Sequence, residues 1–491
     1  MSSDSAQHTK GIFARHRKKI VALLVVLAIG PVIHLGITLG TPMDPPKLAA
    51  HPAMVASESD GIRRLGPAYT RKREGVREVY VRGSAEEIGA EHVGLLRDQM
   101  IENEGVLWNS FAHFVPVAPA RALMMDIGRF RYRHVDEGMP EARLREIAAG
   151  AEAFAPDPFD SFLPTYHRMV FLHALYDIAL SFEHSPLIGC SAFVLGPEAT
   201  KDGHTILGRA FDFEAGDVFD REKAVFFVAG DGAIPFASVA WPGLIGVMSG
   251  MNLEGVTIIV NGGRAREPRT TGEPVVFLLR DVLERAHDTA EAVAILRAQS
   301  VMVSHLVLVT DAKGVSAAVE RAPGVEAFVR PLVDPNRVPL TNHFEGPLAH
   351  DDRNETVLAH TTTIPRRERL DELLASVAPH GGSVETAVSI LRDHSCFGTR
   401  CALGDRRAID ALIATHGIVA DATDRILWVS AGPHLAGKFV RFDLRAIFAP
   451  DHDPRRDPPP ETIPEDPILS DGRYATGRAH AGGPTLGGDA K

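Results

Sequence analysis

The chain has 491 residues, of which 45% are hydrophobic and 23% charged, the balance of a globular protein with ample material for a large core. Its formal net charge of −11 excludes the basic footprint of a nucleic-acid-binding protein. The 3 cysteines include no CxxC pair and the histidines are scattered, so there is no zinc-type ligand set, and neither a metal nor another cofactor is expected.

Residues 1–19 form a basic tail with Lys10, Arg15, Arg17, Lys18 and Lys19. Residues 20–40, IVALLVVLAIGPVIHLGITLG, carry no Asp, Glu, Lys or Arg. That length suits a hydrocarbon core, which needs about 20 apolar residues. The basic flank predicts a single-pass anchor with a cytoplasmic N-terminus and an exported body. Secretion after signal cleavage is the alternative, although the apolar run exceeds the usual signal-peptide core. Residues 41–65 read as a linker.

Residues 66–189 read as mainly helical after one strand, VREVYVRG, at 76–83. Ser84 and Glu87 have capping-box spacing and open a helix with Ile88, Val93, Leu95 and Leu96 on its apolar positions. Pro140 starts a second helix, and PTYHRMVFLHALYDIALSFEH, from Pro164, reads as one long buried helix. His167 and His173 on it lie six residues apart, off a common face, which argues against a shared metal.

The texture changes at Gly189-Cys190. Short β-type runs follow, CSAFVLG, HTILGRAFDF, KAVFFVAG, PFASVAWPG and GVTIIVNGG, separated by turn signals such as Lys201-Asp202-Gly203 and Gly230-Asp231-Gly232. Two helical patterns come next, EPVVFLLRDVLERAH and TAEAVAILRAQ, then further strands, two more helices and the closing strands GIVADATDRILWVSAG and GKFVRFDL. This order suggests sheets flanked by helices, an α+β fold. The stretch 449–491, rich in Pro, Gly and charge, reads as a disordered tail. The glycine-rich stretch GDGAIPFASVAWPG lacks the lysine and threonine of a P-loop, which excludes that nucleotide site.

Cys190 is either a small buried hydrophobe or a nucleophile. Cys396 and Cys401, in CFGTRC, are close enough in sequence to close a small loop as a disulfide, which would leave Cys190 as the odd thiol. The other reading is three reduced structural thiols. Asn354-Glu355-Thr356 is a glycosylation sequon.

Taken in order, Gly189-Cys190-Ser191, GRAFDF (208–213), WPGLIGVMSGMNLEGVTIIVNGG (241–263), LTNHF (340–344) and HGIVADATDRILWVSAGP (416–433) make the chain resemble the N-terminal-nucleophile (Ntn) hydrolases. The nearest branch is that of acyl-coenzyme A:6-aminopenicillanic acid acyltransferases and their bacterial relatives; bile-salt hydrolases and penicillin V acylases are more distant kin. The resemblance implies a four-layer αββα sandwich at 190–448, and self-cleavage between Gly189 and Cys190 that releases a helical α-chain, 66–189. Carried over by motif, Cys190 is the nucleophile. Arg209 and Asp212 hold its end, Asn261 is the oxyanion donor, and Asn342 is a further polar support. Arg366 matches a late structural arginine, with Arg367 and Arg369 as alternatives and with threonines and Pro365 where bile-salt hydrolases have a serine-rich run.

The bland readings are an ordinary ion pair for Arg209 and Asp212, turn or loop roles for Asn261 and Asn342, and solvated helix charges for Arg366 and Arg367. A free Cys190 α-amine would have a pKa of about 7.7–8.0 and could act as the base, which removes the need for a catalytic histidine. The expected reaction is hydrolysis of a small or lipid-like N-acyl amide. Acylated amino acids, acyl homoserine lactones and β-lactam side chains are candidate substrates. Acyl transfer to an amine, or a non-catalytic envelope binding protein, are the alternatives. Export would make coenzyme A scarce and favour hydrolysis.

Overall fold

The computed structural model describes residues 19, 21, 28–49, 56–182, 189–213 and 216–481. Contacts divide the chain into two units, one of residues 1–44 and 108–134, the other of 45–107 and 135–491.

The larger unit is built on two sheets. The first holds eleven described strands in the spatial order Ser57–Ser59, Ile62–Leu65, Ala68–Arg73, Val76–Gly83, Ala224–Gly230, Phe236–Ala240, Ser249–Asn252, Thr257–Gly262, His305–Thr310, Ser316–Arg321 and Phe328–Val329. The second holds seven, Arg337–Leu340, Ser191–Leu195, Ile206–Asp212, Ala414–Asp421, Ile426–Ser430, Phe439–Asp443 and Thr462–Ile463. Every neighbouring pair is antiparallel except Val76–Gly83 with Ala224–Gly230, which run parallel in register from Arg77 opposite Ala224 to Gly83 opposite Gly230.

Alternation along the strands explains the layering. Ala192, Val194 and Leu207 of the second sheet pack with Phe227, Val239 and Ile259 of the first in one buried cluster. The opposite face of the second sheet, with Phe193, Leu195 and Ala210, packs on Leu370, Leu374, Val388 and Leu391 of the helices Thr363–Ser376 and Val384–Leu391. The helices Val275–Arg285 and Thr289–Ala298 pack on the first sheet. These are the four αββα layers, two large sheets flanked by helices. The Ser191–Leu195 strand turns into Ile206–Asp212 through the expected Lys201-Asp202-Gly203 turn, where Gly203 has φ +72°. Gly208 leaves room for the Phe193 ring: a β-carbon there would lie 2.4 Å from Phe193 Cζ.

Several expectations are corrected. No helix among the described residues is long and apolar enough to cross a membrane. The predicted anchor, the cytoplasm-to-exterior topology and the membrane as a partner of residues 20–40 therefore fall. The described stretch 28–40 is helical. Its His34 is engaged within the same unit, with Nδ1 donating to Asp126 at 2.8 Å. Ile20 and residues 22–27 lie outside the described residues, as does the basic tail apart from Lys19.

The linker read at 41–65 already contains two strands of the first sheet. The stretch read as a disordered tail is structured to Ala481. Thr462 pairs with Val440, Asp457 accepts from Arg71, and Arg473–Ala481 is a helix; residues 482–491 lie outside the described residues. The predicted long helix from Pro164 is broken at Ala174 into Thr165–His173 and Leu175–Leu180. The segment expected to be released by cleavage, 66–189, contributes two strands to the first sheet, Ala68–Arg73 and Val76–Gly83.

Candidate active site

Cys190 immediately precedes the strand Ser191–Leu195 and is fully buried. Its sheet neighbour carries the next residue of interest. Ala192 pairs with Arg209 in Ile206–Asp212, and Leu207, Arg209 and Phe211 alternate on one face of that strand. Arg209 therefore stands as a fully buried cation between the sheets. Its Nη2 donates to Cys190 Sγ at 3.8 Å and to Val260 O; its Nη1 donates to Met248 O at 2.7 Å and to Ser249 Oγ. The guanidinium also lies 4.5 Å from the Phe211 ring centroid.

Burial pushes the Cys190 thiol above its usual pKa, and Arg209 opposes that by favouring the thiolate. Burial likewise lowers the pKa of Arg209, and the nearby sulfur counters it.

Asp212 ends the same strand, and its backbone carbonyl accepts from Gly189 N at 3.3 Å. A β-carbon built on Gly189 would sit 3.7 Å from Asp212 Oδ2 and 3.9 Å from Arg366 Nη2, in ordinary contact with both. Arg366 lies in the helix Thr363–Ser376, whose Pro365 is tolerated in the first turn. Its Nη1 donates to Cys190 O and, at 3.0 Å, to Ser191 Oγ, and its Nη2 donates to Asn342 Oδ1 at 2.7 Å. Asn342 in turn donates through Nδ2 to Gly262 O at 2.8 Å. Arg367 and Arg369 point elsewhere, to Glu345 and Asp371 and to Glu372 and Asp393. Arg366 is thus not a solvated helix charge; it is buried against the cysteine.

Asn261, in the strand Thr257–Gly262, donates through Nδ2 to Thr341 O at 3.1 Å and Leu340 O at 3.4 Å. Its Oδ1 is buried without a partner. Service as an oxyanion donor requires the amide to give up one of those two carbonyl bonds. Cys396 and Cys401 are joined as a disulfide with Cα atoms 5.9 Å apart, leaving Cys190 as the free thiol. The sequon asparagine Asn354 is fully buried and donates to Phe344 O and Ala349 O, so it is closed to glycosylation.

Two residues inside the quoted motifs were not singled out as functional. Ser249 Oγ accepts from Arg209 and lies 2.9 Å from His416 Nε2; donation of the Ser249 proton to that nitrogen gives both a partner. His416 is stacked on Phe211 at 5.0 Å, and burial drives its pKa well below the ordinary value, so it is neutral. The pair braces the guanidinium that faces the sulfur. The signal in the sequence was only that both are polar residues in apolar strand runs.

Beside these groups lies a cavity of about 130 Å3 bordered by Tyr176, Phe211, Trp241 and Met248. Cys190 and Arg209 both influence the Tyr176 phenol, whose pKa burial raises well above its usual value. A buried thiol next to a cation, with an apolar cavity alongside, can add to the carbonyl of an acyl compound.

Residues 199–408 match the family described as acyl-coenzyme A:6-aminopenicillanic acid acyl-transferase. The match begins past Cys190 and takes in Arg209, Asp212, Asn261, Asn342 and Arg366. An uncharacterized protein of Archaeoglobus fulgidus is 26% identical over 196 residues, 35% of this chain and 33% of that protein, so the chain spans about a third of that relative's length. Among solved structures, the N-acylethanolamine-hydrolyzing acid amidase ortholog of Caenorhabditis elegans is 18% identical, with a TM-score of 0.35 over 48% of this chain and 93% of that one. Penicillin V acylase of Agrobacterium tumefaciens is 17% identical, with a TM-score of 0.32 over 52% and 91%. The family match covers less than half of the chain, and the two large sheets flanked by helices form a four-layer αββα sandwich of the Ntn-hydrolase-like kind.

Proposed function

We propose that the protein is a self-processing N-terminal-cysteine amidohydrolase that cleaves small N-acyl amides through a thioester acyl-enzyme. The observation that carries this reading is the gathering of Arg209, Asp212 and Arg366 around the single Gly189-Cys190 linkage, with Arg209 Nη2 3.8 Å from the sulfur. A plain core thiol needs no such company.

In the precursor, the Cys190 sulfur adds to the Gly189 carbonyl carbon and the peptide C–N bond breaks, with the proton passing to nitrogen. Water hydrolyses the resulting thioester, giving a Gly189 carboxylate and a Cys190 with free thiol and α-amine. In turnover the α-amine takes the thiol proton, and sulfur adds to the substrate carbonyl. The leaving amine collects the proton as the tetrahedral adduct collapses. Water then attacks the thioester, releasing the carboxylic acid and restoring the thiol. Asp212 orients the α-amine, Arg209 favours the thiolate, and Arg366 with Asn342 fixes the Cys190 backbone. Asn261 is the oxyanion donor once it releases a carbonyl; a donor of that kind contributes about 3–4 kcal/mol. The products identify whether water or an amine is the acceptor.

Intact-mass measurement under denaturing conditions tests the processing. Wild type should give two pieces whose masses sum to the whole chain plus a water, and Cys190→Ala one unbroken chain. Wild type should then release free amine from a panel of N-acyl amides, and Cys190→Ala should not. Active material that is unbroken between Gly189 and Cys190 sinks the reading.

A further inference from the structure

The cavity bordered by Phe211 and Met248, both touched by Arg209, is apolar in almost every direction, which makes its polar side chains informative. One wall is a single face of the helix Ala85–Phe114, where Met100, Asn103, Glu104 and Leu107 follow the i, i+3, i+4, i+7 spacing. Most of the polar groups in the lining already have partners. Glu104 is ion-paired to the buried Arg168. His173 donates through Nδ1 to Met169 O at 2.7 Å and accepts through Nε2 from Ile245 N at 3.1 Å. Trp241 Nε1 donates to Phe219 O at 2.6 Å.

Two do not. The Tyr176 hydroxyl is buried without a partner, and so are both Nδ2 and Oδ1 of Asn103, a residue only 4% exposed. A buried amide with neither end hydrogen-bonded is costly in the folded state, and natural proteins rarely leave one unanswered.

We infer that Asn103 reads the acyl group of the substrate, and that the acyl group carries a hydroxyl or an amide on an otherwise apolar body. This rests on the acyl-amide reading given above. The chemistry follows from which atoms are free. Nδ2 needs an acceptor and Oδ1 needs a donor, so the complementary group must do both. A hydroxyl or a secondary amide does; a ketone answers Nδ2 alone, and a plain hydrocarbon answers neither. The unpartnered Tyr176 hydroxyl is a second polar group in the same cavity wall. The void of about 130 Å3 is close to the ~150 Å3 of a cavity that holds benzene, which points to a compact acyl body of about six carbons. Discrimination then works against the plain chain, because binding it buries Asn103 with both ends still unpaired.

The test uses hexanoyl p-nitroanilide and its hydroxyhexanoyl isomers, with the hydroxyl moved along the chain, together with the matching ketone. For wild type, one hydroxy isomer should exceed the plain chain in kcat/KM by at least roughly tenfold, with the ketone between them. Asn103→Leu should bring that ratio to about one, and its self-processing and melting temperature show whether it folds. Equal turnover of plain and hydroxylated substrates, or an unchanged ratio in Asn103→Leu, overturns the inference and leaves the amidohydrolase reading standing. If nothing is turned over, that reading has failed, and the inference is judged by binding alone. NMR titration of Cys190→Ala with hexanamide and the hydroxyhexanamides should still show tighter binding of one hydroxylated ligand, and equal affinities overturn it.

Discussion

Ser249 shows how much of the site depends on side chains that never meet substrate. Arg209 has no contact with water, so each hydrogen bond it makes to the protein replaces lost hydration. Ser249 supplies one of these and passes its own proton toward His416. Ser249→Ala should let the guanidinium drift from the sulfur. A hydrogen bond to a charged group is worth about 1.5–3 kcal/mol, so kcat should fall roughly 10- to 100-fold while KM changes little. The kcat–pH profile should also move toward higher pH, because the thiolate loses part of its counter-charge. Ser249→Thr, which keeps the hydroxyl, should recover most of the rate. A uniform loss of folded protein with an unmoved profile would show that Ser249 is only structural.

The same scale explains what sequence reading could and could not find. Arg209 and Asp212 sit in one short motif on one strand. Among Arg366, Arg367 and Arg369 the choice was left open, although Arg366, Leu370 and Leu374 share one helical face and the structure buries all three. Asn103 and Tyr176 carry no local signal, since only the fold brings their helices to the cavity.

At the scale of elements, the short helix Leu175–Leu180 holds a buried carboxylate against the start of another helix. Asp177 accepts from Val275 N at 3.2 Å, satisfying a free N–H at the start of Val275–Arg285, where Pro274 offers no side-chain cap. Burial raises the Asp177 pKa to about 7, and the Val275 N–H opposes the rise. A carboxyl raised in the folded state binds more protons folded than unfolded. Its stabilising contribution is complete below the unfolded pKa of about 3.9 and is lost as pH rises through about 7. Asp177→Asn keeps an acceptor for Val275 and removes the titration. The variant should melt higher than wild type at pH 8, by a margin on the order of 4 kcal/mol or less, and the gap should close toward pH 4. Thermal melts of both proteins across that range check it; parallel curves would place the Asp177 pKa elsewhere. Elements with local signals were legible, including the Ser84–Glu87 capping box, closed by Glu87 N donating to Ser84 Oγ at 3.3 Å. The stretch after Ala449 was not, because its order comes from distant partners such as Arg71 and Val440 and its own composition gives no hint of them.

At the scale of the whole larger unit, the proposed cut at Gly189-Cys190 would divide the covalent chain without dividing the fold. The strand Val76–Gly83 lies inside the first sheet, hydrogen-bonded on one side to Ala68–Arg73 and on the other to Ala224–Gly230. Glu146, fully buried before the cut, accepts from Arg280 after it at 2.8 Å, and Arg143 reaches Glu284. The cavity itself takes Asn103 and Tyr176 from the first piece and Phe211, Trp241 and Met248 from the second. Processed protein should therefore elute as one species in native size exclusion and separate into two pieces only on denaturation. Glu146→Ala leaves the buried Arg280 short of a partner, and breaking a buried pair typically costs about 3–5 kcal/mol. In that variant the processed pieces should part at lower denaturant than in wild type, while the unprocessed Cys190→Ala chain carrying the same change should lose less, because its halves remain tethered. Native elution of the first piece apart from the second would mean that the shared sheet and the Glu146–Arg280 pair do not hold them, and that the cavity is not made jointly in the mature protein.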